Sequence, residues 1–407
     1  VKFRAFAALR PRPDAAARIA SPPYDVVSRE EAARLAAGNP ASFLHVVRAE
    51  IDLPAEVSPY DDRVYRAARS ALERLVAEGL LVREDRPAVY LYEQVMEGRS
   101  QVGVVGCVHV ADYEADVIRK HEHTRRDKED DRTRHVLECR AHAEPVFLTF
   151  RDQPRLDALI AEHASGEPLY DFVAEDRVRH RVWRVSDPIR FERAFGDVPV
   201  CYVADGHHRT ASAWRAAREW RAANPSHTGD EEYHWFPAVL FPASRLRILP
   251  YHRVVRDLNG LAPGEFLDRL REVGRVVPAL DPIPPHPGSF CLYLDGRWHL
   301  LVLDPGTIDA ADPIRSLDAA LLEERVLGPL LGVQDIRTDP RVDFVGGIRG
   351  PAELERRVQS GEMALAVALY PVTVDQLMAV ADAGAIMPPK TTWFEPKLRS
   401  GLFVHTL

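Results

Sequence analysis

Val203-Ala204-Asp205-Gly206-His207-His208-Arg209-Thr210 decides how this chain is read. Before it, the apolar run Val198 to Val203 suits a buried strand. After it, Thr210 to Ala223 has helical periodicity, with Ala211, Trp214 and Ala217 on one face and Arg215, Arg218 and Glu219 on the other. A glycine at such a strand-to-helix corner lets the backbone turn tightly and lets a ligand come close. The first turn of the helix then offers its N–H groups to an anion. Asp205, His207, His208 and Arg209 crowd this corner, more polar groups than a turn needs. Arg209 suits bidentate contact with a phosphate. Either histidine suits phosphate oxygens or a proton shuttle. Asp205 suits orienting a histidine or holding Mg2+ through water. Gly206, His208, Arg209 and Thr210 are therefore read as a phosphate cradle.

Working outward, the 407 residues carry a formal net charge of −8, with 46% hydrophobic and 28% charged residues. That is an ordinary globular balance, long enough for two or three domains. No block of positive charge argues for a nucleic-acid surface. The opening residues lack the continuous apolar core of a secretion signal, and no run approaches a membrane span. Cys107, Cys139, Cys201 and Cys291 are far apart and form no CxxC pair, so neither a zinc–cysteine site nor a disulfide framework is expected. A cytoplasmic protein with no DNA or membrane partner is the expectation.

Helices are expected over 61–78, 156–164, 188–195, 263–273, 317–327, 352–358 and 374–383. Strands are expected over 88–96, 101–110, 145–150, 179–185, 236–241, 342–345 and 363–369, with a hairpin about Asp295-Gly296. Residues 224–232 read as a polar loop, and proline-rich 278–287 as a linker. The mix is α+β. No GxGxxG or GxxxxGK[ST] stands in a suitable setting, which disfavours standard dinucleotide and P-loop sites.

Three further stretches carry polar chemistry. Ile118 to Arg132 contains His121-Glu122-His123 and the charge run Lys128 to Arg132. A charge run ordinarily means a solvated helical face. Glu122, however, has basic neighbours that can hold it ionised and aimed, as a general base requires. His121 and His123 are alternative metal ligands, although an i,i+2 pair shares a side only on a strand. Near the start, Ser21-Pro22-Pro23-Tyr24-Asp25 is a stiff turn or a wall of the site. At the end, Met387 to Lys397 brings Lys390 and Lys397, mobile charges suited to phosphate tails, on a proline-stiffened strap.

The motifs SPPYDVV, KHEHT with RRDKEDDR, ADGHHRT and MPPKTTWFEPKLRSG resemble, in that order and nearly end to end, an uncharacterised bacterial and archaeal family, domain of unknown function ten-fifteen. More remotely, Ile118…His121-Glu122 before the DGHHR corner is similar to the free-serine-kinase branch of the ParB/sulfiredoxin superfamily. That resemblance implies a ParB/sulfiredoxin-like nucleotide-binding core with additional mixed α/β segments. It implies Glu122 as the base that activates a serine hydroxyl, and Gly206, His207, His208 and Arg209 as the phosphate cradle. The spacing from Glu122 to Gly206 is longer than in the small kinases. His207 stands where sulfiredoxin has its reactive cysteine, and no helix-turn-helix of the ParB kind is evident.

Residues 1–115 are expected to form an N-terminal part of the core, 116–250 the core itself, and 251–407 a C-terminal domain whose tail returns to the site. The expected activity is nucleotide-dependent phosphoryl transfer to a small hydroxyl metabolite, with serine or phosphoserine first in line. Glu122, His121, His207 and Asp205 would be catalytic. Lys390 and Lys397 would join the phosphate cradle, and Tyr24, Asp25, His123 and Arg132 would face the substrate. Mg2+ with ATP or ADP is the expected cofactor, the ion carried by the phosphates with Asp205 as its protein candidate. The alternatives are a non-catalytic nucleotide sensor and a metal-dependent hydrolase built on His121, His123 and His207.

Overall fold

The computed structural model describes residues 1–407 and divides the chain into two compact units, Val1–Leu246 with Pro396–Leu407, and Arg247–Glu395. The fold class is mixed α+β. The first unit is built on nine strands: β1 Phe3–Arg4, β2 Tyr90–Met96, β3 Arg99–His109, β4 Ile118–Arg119, β5 Val146–Phe150, β6 Tyr170–Val173, β7 Arg179–Arg184, β8 Cys201–Asp205 and β9 Trp235–Pro242. They lie in the order β4-β8-β5-β9-β3-β2-β7-β6, with β1 beside β3. The pairs β4–β8 and β5–β9 are parallel and the others antiparallel. Residues 90–109 thus share one sheet with residues 118–242, so no boundary falls near 115.

Fully buried Val104, Leu148, Val203, Leu240 and Phe195 form the centre of the main core. A second core gathers Ile19, Phe43, Leu44, Leu72 and Leu75. It rests on α1, Asp62–Ala77, which Asp61 caps by accepting the Arg63 N–H and which buries Val64, Ala68, Leu72 and Leu75 along one stripe. The charge run becomes α2, Arg126–Cys139, and the corner leads into α3, His207–Ala223. Small buried side chains on α3 (Ala211, Ala213, Ala216, Ala217) let it lie close to its neighbours. Arg215 is half-buried. Its guanidinium donates to Glu129 at 3.1 Å and Asp130 at 2.5 Å, tying α3 to α2.

The tail 396–407 threads back through this unit. Ser21 and Ser400 exchange backbone hydrogen bonds, as do Leu9 and Val404. Gly401 there takes φ +86, and a Cβ would come within 2.6 Å of Phe43, so only glycine fits.

The second unit carries an all-antiparallel sheet of β10 Tyr251–Val255, β11 Arg275–Pro278, β12 Ser289–Leu294, β13 Arg297–Val302, β14 Val342–Gly346 and β15 Leu365–Leu369, in the order β11-β13-β12-β15-β10-β14. The expected linker 278–287 is instead a connection inside this unit, between β11 and β12. No helix of the chain is long and apolar enough to cross a membrane.

Candidate active site

The corner forms because β8 ends at Asp205 and Gly206 takes φ +94, a left-handed conformation that side chains resist. The seventeen-residue helix α3 starts at His207 with no side chain capping its N-terminus. Beside β8 runs the two-residue strand β4. Its parallel register sets Ile118 level with Cys201 and Arg119 with Tyr202, an offset of 83 residues, the same offset that separates Arg125 and His208. Past the strand the chain brings Glu122 to the corner, beside His207. The Arg125 N–H closes the loop by donating to His208 Nε2 at 3.1 Å.

The side chains follow from this register. His121 is buried, with its ring 4.5 Å from that of His207 in an edge-on contact. Glu122 Oε2 lies 3.9 Å from His207 Nδ1, and its side chain remains 40% exposed, open to a solute. Burial pushes the His207 imidazole down to about 3, against the pull of Asp205, and drives His121 well below its ordinary range. Both rings are neutral at physiological pH. His207 Nε2 is out of solvent with no hydrogen-bond partner.

Asp205 joins the other side of the corner. Its Oδ1 accepts the Gly206 N–H at 3.0 Å, and its Oδ2 sits 3.2 Å from Lys397 Nζ and 3.6 Å from Arg209 Nη2. Burial raises the Asp205 carboxyl, but Lys397 and Arg209 outweigh it and hold the group ionised, well below the usual carboxylate range.

Arg209 departs from its expected role. It is 8% exposed and turns inward, donating from Nη1 to the Pro145 carbonyl at 2.6 Å. Asp25 lies 3.9 Å from its Nη2, while Nε and Nη2 have no hydrogen-bond partner. With Arg132, Glu144 and Ser212 it lines a small cavity of about 30 Å3. Thr210 departs too: it is fully buried and its hydroxyl donates to the Gly206 carbonyl at 3.0 Å, a bond internal to the helix.

The remaining expected residues fall in three places. Tyr24, Asp25 and Arg132 belong to the network around Arg209. The Arg132 guanidinium sits 4.2 Å above the Tyr24 ring and pairs with Asp131 at 2.9 Å. His123 is exposed, so the trio His121, His123 and His207 does not assemble; Glu122 takes the place of His123, with ligand atoms of His121, Glu122 and His207 within 4.8 Å of one another. Lys390 is part of the second unit, where its ammonium lies over the Tyr251 ring.

Sequence reading missed Glu144. This buried carboxyl accepts the Tyr24 N–H at 3.1 Å and the Ser400 hydroxyl at 2.7 Å, and burial raises it despite Arg209. Its only signal was an acid inside the apolar run Ala141 to Phe150.

The model of the family described as "Protein of unknown function (DUF1015)" matches residues 3–320, which hold Glu122, Glu144 and the whole corner. The chain belongs to that family. Lys397 lies beyond the stretch that the DUF1015 model matches. No curated protein matches this DUF1015 chain. Among solved structures, a free serine kinase in complex with AMP is similar over 73% of this chain and 90% of that one, at 13% identity and a TM-score of 0.36. SbnI with a C-terminal truncation, from Staphylococcus aureus, is similar over 74% of this chain and 87% of that one, at 12% identity and a TM-score of 0.39.

Proposed function

We propose that the chain is a nucleotide-dependent phosphotransferase acting on a small hydroxyl metabolite, serine being the first candidate. The observation that carries this reading is the solvent-open Glu122 carboxylate beside the uncapped N-terminus of α3. A helix N-terminus attracts phosphate through its N–H groups and dipole. Phosphoryl transfer needs positioning and charge neutralisation more than covalent help from the protein.

Glu122 takes the proton as the acceptor hydroxyl oxygen attacks phosphorus, and the bond to the leaving nucleotide oxygen breaks. Neutral His207 faces the base at 3.9 Å without adding charge. Lys397 is the cation with reach; a phosphate displaces its ammonium from Asp205. Arg209 serves as a buried positive anchor that fixes Asp205 and the strand end. Asp205 does not suit a Mg2+ ion, since its Oδ1 is taken by the Gly206 N–H and its Oδ2 faces two cations. ATP or ADP is the proposed donor.

The test is turnover of a panel of hydroxyl metabolites with ATP and with ADP, by wild type and Glu122→Gln. Saturable nucleotide binding without turnover of any substrate replaces this reading by a sensor. Stoichiometric transition metal bound through His207 replaces it by a metal-dependent hydrolase.

A further inference from the structure

A second set of ligating side chains lies away from the corner, in the segment that joins α3 to β9. His227, Glu231 and His234 place ligand atoms within 4.8 Å of one another. Glu231 is the pivot: its Oε2 lies 3.0 Å from His227 Nδ1 and 3.6 Å from His234 Nε2. Two ligands each about 2.0–2.1 Å from a tetrahedral zinc are about 3.4 Å apart, and the two distances bracket that value.

Two further features mark this as a built site. His234 is 7% exposed, and its Nε2 is out of solvent, without a hydrogen-bond partner, on the side of Glu231. A buried imidazole nitrogen left unpaired is costly, and a bound cation relieves that cost. The Glu231 carboxylate is also held from behind. Its Oε1 accepts the Thr228 N–H and hydroxyl at 2.6 and 3.0 Å, and its Oε2 accepts the Gly229 N–H at 2.9 Å. Such outer contacts orient metal-ligating carboxylates. The Tyr233 hydroxyl lies 3.0 Å from His227 Nδ1, a contact that a cation bound at that nitrogen replaces.

We propose that His227, Glu231 and His234 bind one zinc-class divalent cation, water completing the fourth position. Two imidazoles and one carboxylate are a borderline donor set, suited to zinc rather than to Mg2+ or Ca2+. The ion pins the 227–231 loop to the start of β9, so its role is to order that loop.

The test uses the full chain, stripped with chelator and titrated with ZnCl2 by calorimetry, with Co2+ absorption as a second readout. Wild type is expected to bind Zn2+ saturably and to give the visible spectrum of four-coordinate Co2+. His227→Ala/His234→Ala should weaken one Zn2+ equivalent by roughly 100-fold or more, beyond the loss of a mere orienting partner. His207→Ala should keep that equivalent. The single variant His227→Ala, on the part-exposed side of the loop, guards against misfolding of the double variant and should lose the Co2+ spectrum. Unchanged Zn2+ stoichiometry and affinity in the double variant overturn the proposal. So does loss of the equivalent only with His207→Ala, or wild type that binds no Zn2+.

Discussion

Lys397 Nζ sits 3.2 Å from Asp205 Oδ2, across 192 residues of sequence. This pair fastens the returning tail to the end of β8, and the proposed function makes it the contact that a phosphate breaks. Lys397→Ala should therefore weaken nucleotide binding by about 10-fold, the effect of one charge-assisted hydrogen bond worth about 1.5 kcal/mol. Lys397→Arg should restore most of it. Calorimetric titration with ATP and ADP checks this, and unchanged affinity in Lys397→Ala removes the lysine from the site.

Arg209→Ala should act first on the fold. It leaves Asp205 and Glu144 without their shared cation and the Pro145 carbonyl without its donor. Removing one partner of a buried charge network costs about 3–5 kcal/mol. Chemical denaturation should show that loss in nucleotide-free protein. A fully stable Arg209→Ala would mean that the arginine is not the anchor described.

Gly206→Ala strains the corner in two ways. The backbone sits at φ +94, and the new Cβ lies 3.0 Å from the Arg209 guanidinium. A destabilisation of about 1–3 kcal/mol is expected, measurable by thermal unfolding, with nucleotide affinity falling alongside.

The corner was legible in the sequence because it is local: an apolar run, one glycine and an alanine-rich helix. So were α1 and the long strands, whose periodicity is self-contained. The proximity of Glu122 was not derivable from its neighbours, since it rests on the parallel pairing of a two-residue strand with a partner 83 residues on. Strands as short as Phe3–Arg4 and Ile118–Arg119 carry no period to detect. Arg209 read as an outward phosphate binder because nothing local reveals the Pro145 carbonyl that turns it inward. The prolines of 278–287 signal stiffness, which a loop inside a sheet uses as readily as a linker does. The unit boundaries, near 246 and 395, carry single prolines such as Pro250 and Pro396, a weaker signal than the run 278–287.

Buried histidines set the acid limit of stability. Burial pushes His135 down to about 4, and His142, His180 and His207 to about 3, so they fold neutral. In the unfolded chain each titrates near 6.5. Their folded pKa values are lowered and the unfolded state binds the extra protons. Stability is thus fully present above about pH 6.5 and falls as pH drops toward 4, by about 1.4 kcal/mol per pH unit for each histidine. Denaturation midpoints at pH 7.5 and 5.5 should differ accordingly, and a flat profile contradicts neutral burial.

The most direct test of the central claim pairs turnover with binding in Glu122→Gln. Wild type should transfer phosphate from ATP or ADP to a hydroxyl metabolite, followed by phosphorus NMR. A general base contributes about 10²–10⁴-fold, so Glu122→Gln should lose at least about 100-fold in turnover while its nucleotide Kd, measured by calorimetry, stays within about threefold. Wild-type turnover in Glu122→Gln would contradict the account.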